Sequence, residues 1–330
     1  DNHRIALKLE KTFLFFPIHQ SLKISDIKKI GFFFKNKMMN NPSENGYQIE
    51  WFKGEKEEWD NWVRLAGKSN LMQTWSYGEA KKKVEAWEVK RGLIKKNDHL
   101  LAIFQALEKS WGPFGVIRIN RGPLLINAVD NFETKYNIYK TLRKTWMWWK
   151  GRSLIIAPDL VNMPENSGVL ELANFRKRPA KPWRSSLIDL SLTESDIRKN
   201  LNGKWRNQLK KSELSGIEII NDKSDNSFFE LLNNYKQMMK DKSFEGPSIE
   251  LYNALQQVNN DNHFIFQVKQ HNQIIASILI LQHGASCTYQ IGWNSSNGRK
   301  IYANNFLLWN AILEMKKHGC LWFDLGGIDE

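Results

Sequence analysis

The chain has 330 residues, 42% of them apolar, which is enough for sizeable cores and long enough for two domains. Its 48 basic against 35 acidic side chains give a formal charge of +13, which predicts attraction to polyanions such as RNA, anionic headgroups or diphosphate-linked carriers without choosing among them. Two cysteines, Cys287 and Cys320, exclude a disulfide framework, the scattered histidines form no HxH or HExxH zinc pattern, and no run reaches the ~18 apolar residues that span a bilayer.

Residues 1–45 are rich in Lys, Ile, Phe and Asn. The apolar runs Phe13–Pro17 and Ile30–Phe34 are too short to span a membrane, and no small-residue cleavage site makes either a signal peptide. A cytoplasmic protein that touches the membrane surface is expected. Because the chain lacks an initial Met while Met38 and Met39 precede a polar run, the expectation is a natural start there and a loosely packed extension before it.

From Tyr47 the pattern reads strand to Phe52, then helix from Glu55 to Ala66. In that helix Trp59, Trp62, Val63 and Ala66 share one face. A second helix, Trp75 to Val84, ends in Lys81, Lys82 and Lys83, where cations complement the helix dipole. Strands are expected over Ala86–Ile94, Leu100–Glu108 and Val116–Asn120, a long helix over Asn131–Lys150, and a buried strand over Ser153–Ala157. Residues 159–184 are linker-like, with Asn, Pro, Gly and a basic run, so the boundary between domains is placed near 185.

The second half repeats the plan. A strand over Ser185–Leu190 leads to the capping signal Thr193-Glu-Ser-Asp196 and a helix. A basic helix from Leu201 follows, with Leu201, Trp205 and Leu209 on its apolar stripe, bracketed by Lys204, Arg206, Lys210 and Lys211, and stopped by Gly216. Beyond it come a strand Ile217–Ile220, helices Asn226–Lys240 and Ser248–Val258, strands His263–Lys269, Ile274–His283 and Thr288–Trp293, a helix Ile301–His318 and a buried parallel strand Cys320–Leu325. Such alternation argues for an α/β protein with a mixed sheet in each half.

Composition alone makes the basic helix a solvated face or a clamp for phosphate-bearing ligands. The order of four motifs adds a direction. Lys204-x-Arg206-x-x-x-Lys210-Lys211 before Gly216, Gln73-x-x-x-Tyr77-x-x-x-Lys81, Arg121-Gly-Pro123 and Phe323-Asp-Leu-Gly-Gly327 together resemble the Fem-type aminoacyltransferases, over roughly residues 48 to 327. That resemblance implies two tandem GNAT-like domains, here residues 46–184 and 185–330, behind an extension of residues 1–45. It implies aminoacyl-tRNA as donor, a UDP- or lipid-linked muropeptide as acceptor, and no cofactor. Lys81, Lys204, Arg206 and Lys210 would hold the carrier's phosphates. Tyr77, Arg121, Tyr289, Gly326 and Gly327 would line the substrate.

Asp324 has two readings, an orienting group for the attacking amine or a cap for its own turn; Tyr289 and Trp293 are cleft wall or core. Arg118 and Ile126 stand where the family often has a tyrosine and an aspartate that touch the muropeptide, which puts the standard acceptor in doubt. The family also continues into a Phe-Lys segment, so the chain ending at Glu330 is expected to be truncated. A GNAT acyl-CoA loop needs glycines to bring backbone to pyrophosphate. At Gly298-Arg-Lys-Ile-Tyr-Ala-Asn-Asn305 the positions carry Tyr302 and Asn304, and the first half has Pro123. An acyl-CoA or acyl-carrier-protein N-acyltransferase and a non-catalytic binder of anionic glycans or RNA remain the alternatives.

Overall fold

The computed structural model describes residues 46–126, 131–146, 151–179 and 184–327. The expected extension, the two short apolar runs, the last residues of the helix expected to run to Lys150 and the end at Glu330 lie outside the described residues. In the first half, β1 (Tyr47–Trp51) is followed by α1 (Lys56–Leu65), a 3-10 turn at Leu71–Gln73 and α2 (Trp75–Glu85). Strands β2 (Glu88–Lys96), β3 (His99–Trp111), β4 (Phe114–Asn120) and the short β5 (Leu124–Leu125) come next, then α3 (Phe132–Thr145), β6 (Arg152–Ala157) and α4 (Pro164–Leu172). The sheet order is β1-β2-β3-β4-β6 with β5 on β3; it is antiparallel apart from the parallel β4–β6 pair. Helix α4 corrects the linker reading of residues 159–184, since Pro164 sits in its first turn, where a missing N–H costs nothing.

The second half contains β7 (Ser185–Asp189), α5 (Glu194–Asn200), α6 (Gly203–Glu213), β8 (Glu218–Asp222), α7 (Asp225–Lys242) and α8 (Ile249–Val258). It continues through β9 (His263–Gln270), β10 (Gln273–His283), β11 (Ser286–Asn294), α9 (Ser296–Lys300), α10 (Ala303–Lys317) and β12 (Trp322–Gly327), in the sheet order β7-β12-β11-β10-β9-β8. The Thr193 hydroxyl accepts from the Asp196 amide, as the capping signal predicts. The basic helix begins later than the periodicity suggests. Leu201 is extended, and Asn202 caps α6 by accepting from the Lys204 amide.

Alternation along the strands sends two sets of side chains to opposite faces of the second sheet. Phe264, Phe266, Ile278 and Ile280 join Leu209 of α6 and Leu307 of α10 in one core. Ile265, Leu279, Leu281 and Ile291 join a second core with Leu232 of α7, Leu255 of α8, and Tyr77 and Ala80 of α2. That second core also takes Leu107 from β3. Helices from both halves therefore form one middle layer between the sheets, while α3 packs on the far face of the first sheet with Phe104 and Ile117. The halves are welded by shared apolar burial.

Candidate functional site

The site is built where the ends of two strands meet between the halves. In the first half, Gln73 leaves the 3-10 turn with its amide between strands. Its Nε2 donates to the carbonyls of Asn120 (2.7 Å) and Gln105 (3.3 Å), and its Oε1 accepts from the Gln105 amide (2.7 Å). Gln105 in turn donates to the carbonyls of Met72 and Thr74 and accepts from Arg91 Nε, so the entry to α2 is locked onto β3. The same amide lies against Gly122, where an added Cβ would come within 2.7 Å of it. Gln73, expected in the ligand motif, is therefore a bracket for the turn at Arg121-Gly-Pro123. Gln73→Leu is expected to lower stability by about 2–3 kcal/mol, because it leaves buried backbone groups unpaired. A urea-unfolding midpoint equal to wild type would remove this role.

The bracketed turn aims Arg121 across to the second half. Arg121 lies in the left-handed region (φ 49°), uncommon for a residue with a Cβ, and its carbonyl accepts from Asn70 Nδ2 at 2.6 Å. Its Nη1 donates to Asp324 Oδ2 at 3.2 Å. The other carboxylate oxygen, Oδ1, accepts from the Gly326 amide at 2.9 Å. Asp324 thus caps its own turn and holds the guanidinium. Gly326 (φ 82°) takes a conformation that favours glycine, and a Cβ there would lie 3.0 Å from the Tyr289 carbonyl.

Around this pair lies a buried polar ring. Asn70 Nδ2 also reaches Asp159 Oδ2 at 3.3 Å, while Asn70 Oδ1 and Asp159 Oδ1 are buried without a hydrogen-bond partner. Burial pushes the Asp159 carboxyl up, opposed by the charges of Arg121 and Lys68. His283 contacts Thr288 Oγ1 through Nε2 (2.7 Å), and the Ser69 hydroxyl donates to the His283 carbonyl (2.6 Å). Burial, then the nearby Arg121 charge, pushes this imidazole down to about 3. Lone histidines and asparagines in the sequence carried no signal of this ring, whose members Ser69 and His283 lie 214 residues apart.

Beyond Asp324 the ladder between β11 and β12 ends, although Gly326 still lies against the Tyr289 carbonyl. The parallel ladder of β11 and β12 covers only Ser286–Thr288 against Trp322–Asp324, and an irregularity between Leu279 and Ile280 skips Gln290 on β11. The corresponding parallel pair in the first half, β4 with β6, runs unbroken from Gly115 to Asn120. The unpaired wedge of β11 and β12 beyond Thr288 and Asp324 is thus a property of the second sheet. Tyr289 sits at its mouth, its phenol pushed up to about 12 by burial, and its ring packs in the same core as Trp205 and Leu325.

With this geometry in view, the solved structures are informative. The FemX crystal structure superposes with a TM-score of 0.69 at 14% identity, covering 85% of this chain and 89% of that one. The fold is Fem-like, with a mixed sheet flanked by helices in each half. A conserved protein of unknown function from Bacteroides thetaiotaomicron VPI-5482 superposes at 0.52 with 12% identity, covering 85% of this chain and 90% of that one. A tandem GNAT protein from the clavulanic acid biosynthesis pathway aligns at 0.45 with 6% identity, over 86% and 91%. No family model and no curated protein matches the sequence.

Within the Fem-like fold the expected residues separate into groups. Arg121, Asp324, Gly326 and Tyr289 converge on the wedge. Gly327 is exposed and pairs with Ser185 of β7. Tyr77 and Lys81 lie on α2 in the middle layer, with the Lys81 ammonium bonded to Glu85 and 5.9 Å from the Tyr77 ring centre. Burial and the Glu85 charge push the Tyr77 phenol up to about 12. Lys204, Arg206 and Lys210 lie on α6, on the opposite face of the second sheet, where Arg206 Nη1 donates to the Lys199 carbonyl. The four cations expected to share one groove approach the sheet from two sides. A groove of about 750 Å³ between β6 and α4, lined by Ile155, Leu170, Arg143 and Arg176, shares no lining residue with the wedge. Among the described residues no group of His, Cys, Asp or Glu is arranged to hold a metal.

Proposed function

We propose that the protein transfers an amino acid from aminoacyl-tRNA to the amine of a UDP- or lipid-linked muropeptide. The supporting observation is the 3.2 Å pair between Arg121 and Asp324, which joins the Gly-Pro turn of one half to the Asp-x-Gly-Gly strand end of the other, where the pairing of β11 with β12 ends. The donor ester is already activated, so positioning and oxyanion stabilisation supply most of the acceleration. The amine nitrogen attacks the ester carbonyl carbon, the bond to the ribose oxygen breaks, and the amine proton ends on the released hydroxyl. Asp324, with both oxygens engaged, acts as a positioning residue that holds the Arg121 guanidinium toward the developing negative charge.

In this reading Lys81 and Tyr77, in the middle layer, and Arg206 with Lys204 and Lys210, in the outer layer, hold different parts of the acceptor, since the second sheet lies between them. Against acyl-CoA stands Tyr302, which occupies the left-handed position before α10 with the Lys211 ammonium 6.0 Å from its ring centre, where a pyrophosphate cradle would need glycine. Lys81→Ala and Arg206→Ala should each raise the acceptor KM about ten- to a hundredfold, the loss of one charge-assisted hydrogen bond, with kcat little changed. Turnover of radiolabelled aminoacyl-tRNA with a soluble acceptor measures this. An acceptor KM that both folded variants leave unchanged would end the assignment.

A further inference from the structure

The hairpin of β3 and β4 ends in two large aromatic side chains held out into solvent. Trp111 and Phe114 face each other at the last rung of the ladder, 61% and 64% exposed, with Gly112 and Pro113 as the turn. Other exposed apolar side chains such as Leu214 and Phe229 stand singly on separate helix faces, which is ordinary for a protein surface. Among the described residues, no internal contact explains an adjacent Trp and Phe at this tip.

The surroundings of the tip are basic. Arg152 donates to the Pro113 carbonyl at 3.0 Å, tying it to the base of the turn. Lys109 lies two residues behind Trp111 and Arg118 four residues beyond Phe114, with their charges 4.7 and 5.4 Å from the Trp87 ring centre. The acid beneath them, Glu108, is buried and already held by Lys90 at 2.7 Å and Arg152 at 3.1 Å. Lys81, Lys90, Lys109, Arg118 and Arg152 therefore outnumber Glu85, Glu88 and Glu108, on a chain whose formal charge is +13. Aromatic side chains at an apex, backed by cations, match the two layers of an anionic lipid surface: acyl boundary for the rings, headgroup phosphates for the charges.

We propose that the β3–β4 hairpin tip docks this protein on an anionic phospholipid bilayer, with Trp111 and Phe114 entering the interface and Lys109, Arg118 and Arg152 engaging headgroup phosphates. No helix among the described residues is long and apolar enough to cross a membrane, so the contact is with the surface. Docking there would present Lys81 and Arg118, beside Tyr77 and Trp87, to ligands whose phosphates lie in the headgroup plane. Only this last consequence rests on the proposed function, and it selects the lipid-linked over the UDP-linked acceptor.

The test is co-sedimentation of the full chain with vesicles of phosphatidylglycerol and phosphatidylcholine, without tRNA or acceptor. Wild type should bind, and less so as salt is raised. The double variant Trp111→Ala/Phe114→Ala should bind roughly tenfold more weakly or worse, from the loss of two interfacial side chains. A control with equally exposed side chains removed elsewhere, Leu214→Ala/Phe229→Ala, should bind as wild type. Absence of binding to anionic vesicles overturns the proposal, as does equal binding by the tip variant, equal loss in the control, or a dimer that the tip variant breaks. Because no transfer is measured, these results stand apart from the aminoacyltransferase reading, which the acceptor kinetics decide.

Discussion

Arg121→Leu is expected to destabilise the folded chain by about 3 kcal/mol, the low end for breaking a buried ion pair. Asp324 is only 4% exposed, and without the guanidinium its Oδ2 would stay buried while Oδ1 still accepts from Gly326. The Arg121 side chain is 16% exposed, which moderates the cost because water reaches one end of the pair. The loss would also remove the charge that opposes the burial of Asp159. The double variant Arg121→Leu/Asp324→Leu should cost less than the sum of the two single variants, by about 2 kcal/mol, since it strands no lone charge. Urea unfolding of the four proteins gives the coupling directly. Additive single effects would mean that the two side chains do not act as a pair. Since the pair joins positions 203 apart, it holds the two halves in register at the wedge, and Arg121→Leu should lower kcat more than it raises either KM.

What could be read from the chain was whatever repeats locally. The 3.6-residue stripe of Trp59 and Val63, the strand over His263–Lys269 and the Thr193 cap each involve neighbours, and each appears in the structure within a few residues of its expected place. Boundaries failed where local chemistry competed. Asn202 and Gly203 interrupt what periodicity reads as one helix from Leu201, because an asparagine side chain satisfies the free amides of a new helix start. Helix α4 was hidden by Pro164, Asn166 and Gly168, residues that signal loops when no partner is in view; Val169 is fully buried there and makes the segment worth ordering.

The site was legible as a set of motifs and not as an arrangement. Asp324 and Arg121 could be singled out separately, but their pairing depends on the turn that Gln73 brackets, and Gln73 finds its partners at Gln105 and Asn120. The separation of Lys81 from Arg206 was equally invisible. An apolar face on α2 looks the same whether it covers its own sheet or, as here, also the neighbouring one with Leu279 and Ile291. Sequence order predicts which residues point inward; it does not say which of two sheets lies there.

Acidification should destabilise this fold well before its carboxylates protonate, through two buried histidines at paired ends of β9 and β10. His263 Nδ1 donates to the Asn259 carbonyl at 2.8 Å while its Nε2 has no partner, and burial pushes it down to about 4. His283 is pushed down to about 3. For a folded-state value depressed below the ordinary 6.5, stability is fully present above 6.5. It is lost as pH falls, because the unfolded chain takes up protons that the folded chain refuses until its own lower value is reached. At pH 5 each histidine therefore costs about 2 kcal/mol, roughly 4 kcal/mol together. Asp159 works the other way: its raised carboxyl contributes stability that is complete below the unfolded carboxyl value and is lost as pH rises, so it flattens the slope in part. Urea midpoints at pH 7.5 and pH 5 measure the total, and His283→Gln, which keeps a polar contact near Thr288, should remove about half of the difference between them. Equal pH dependence in wild type and His283→Gln would mean that this imidazole is solvated and charged in the folded protein, and the buried ring between the two halves would have to be redrawn.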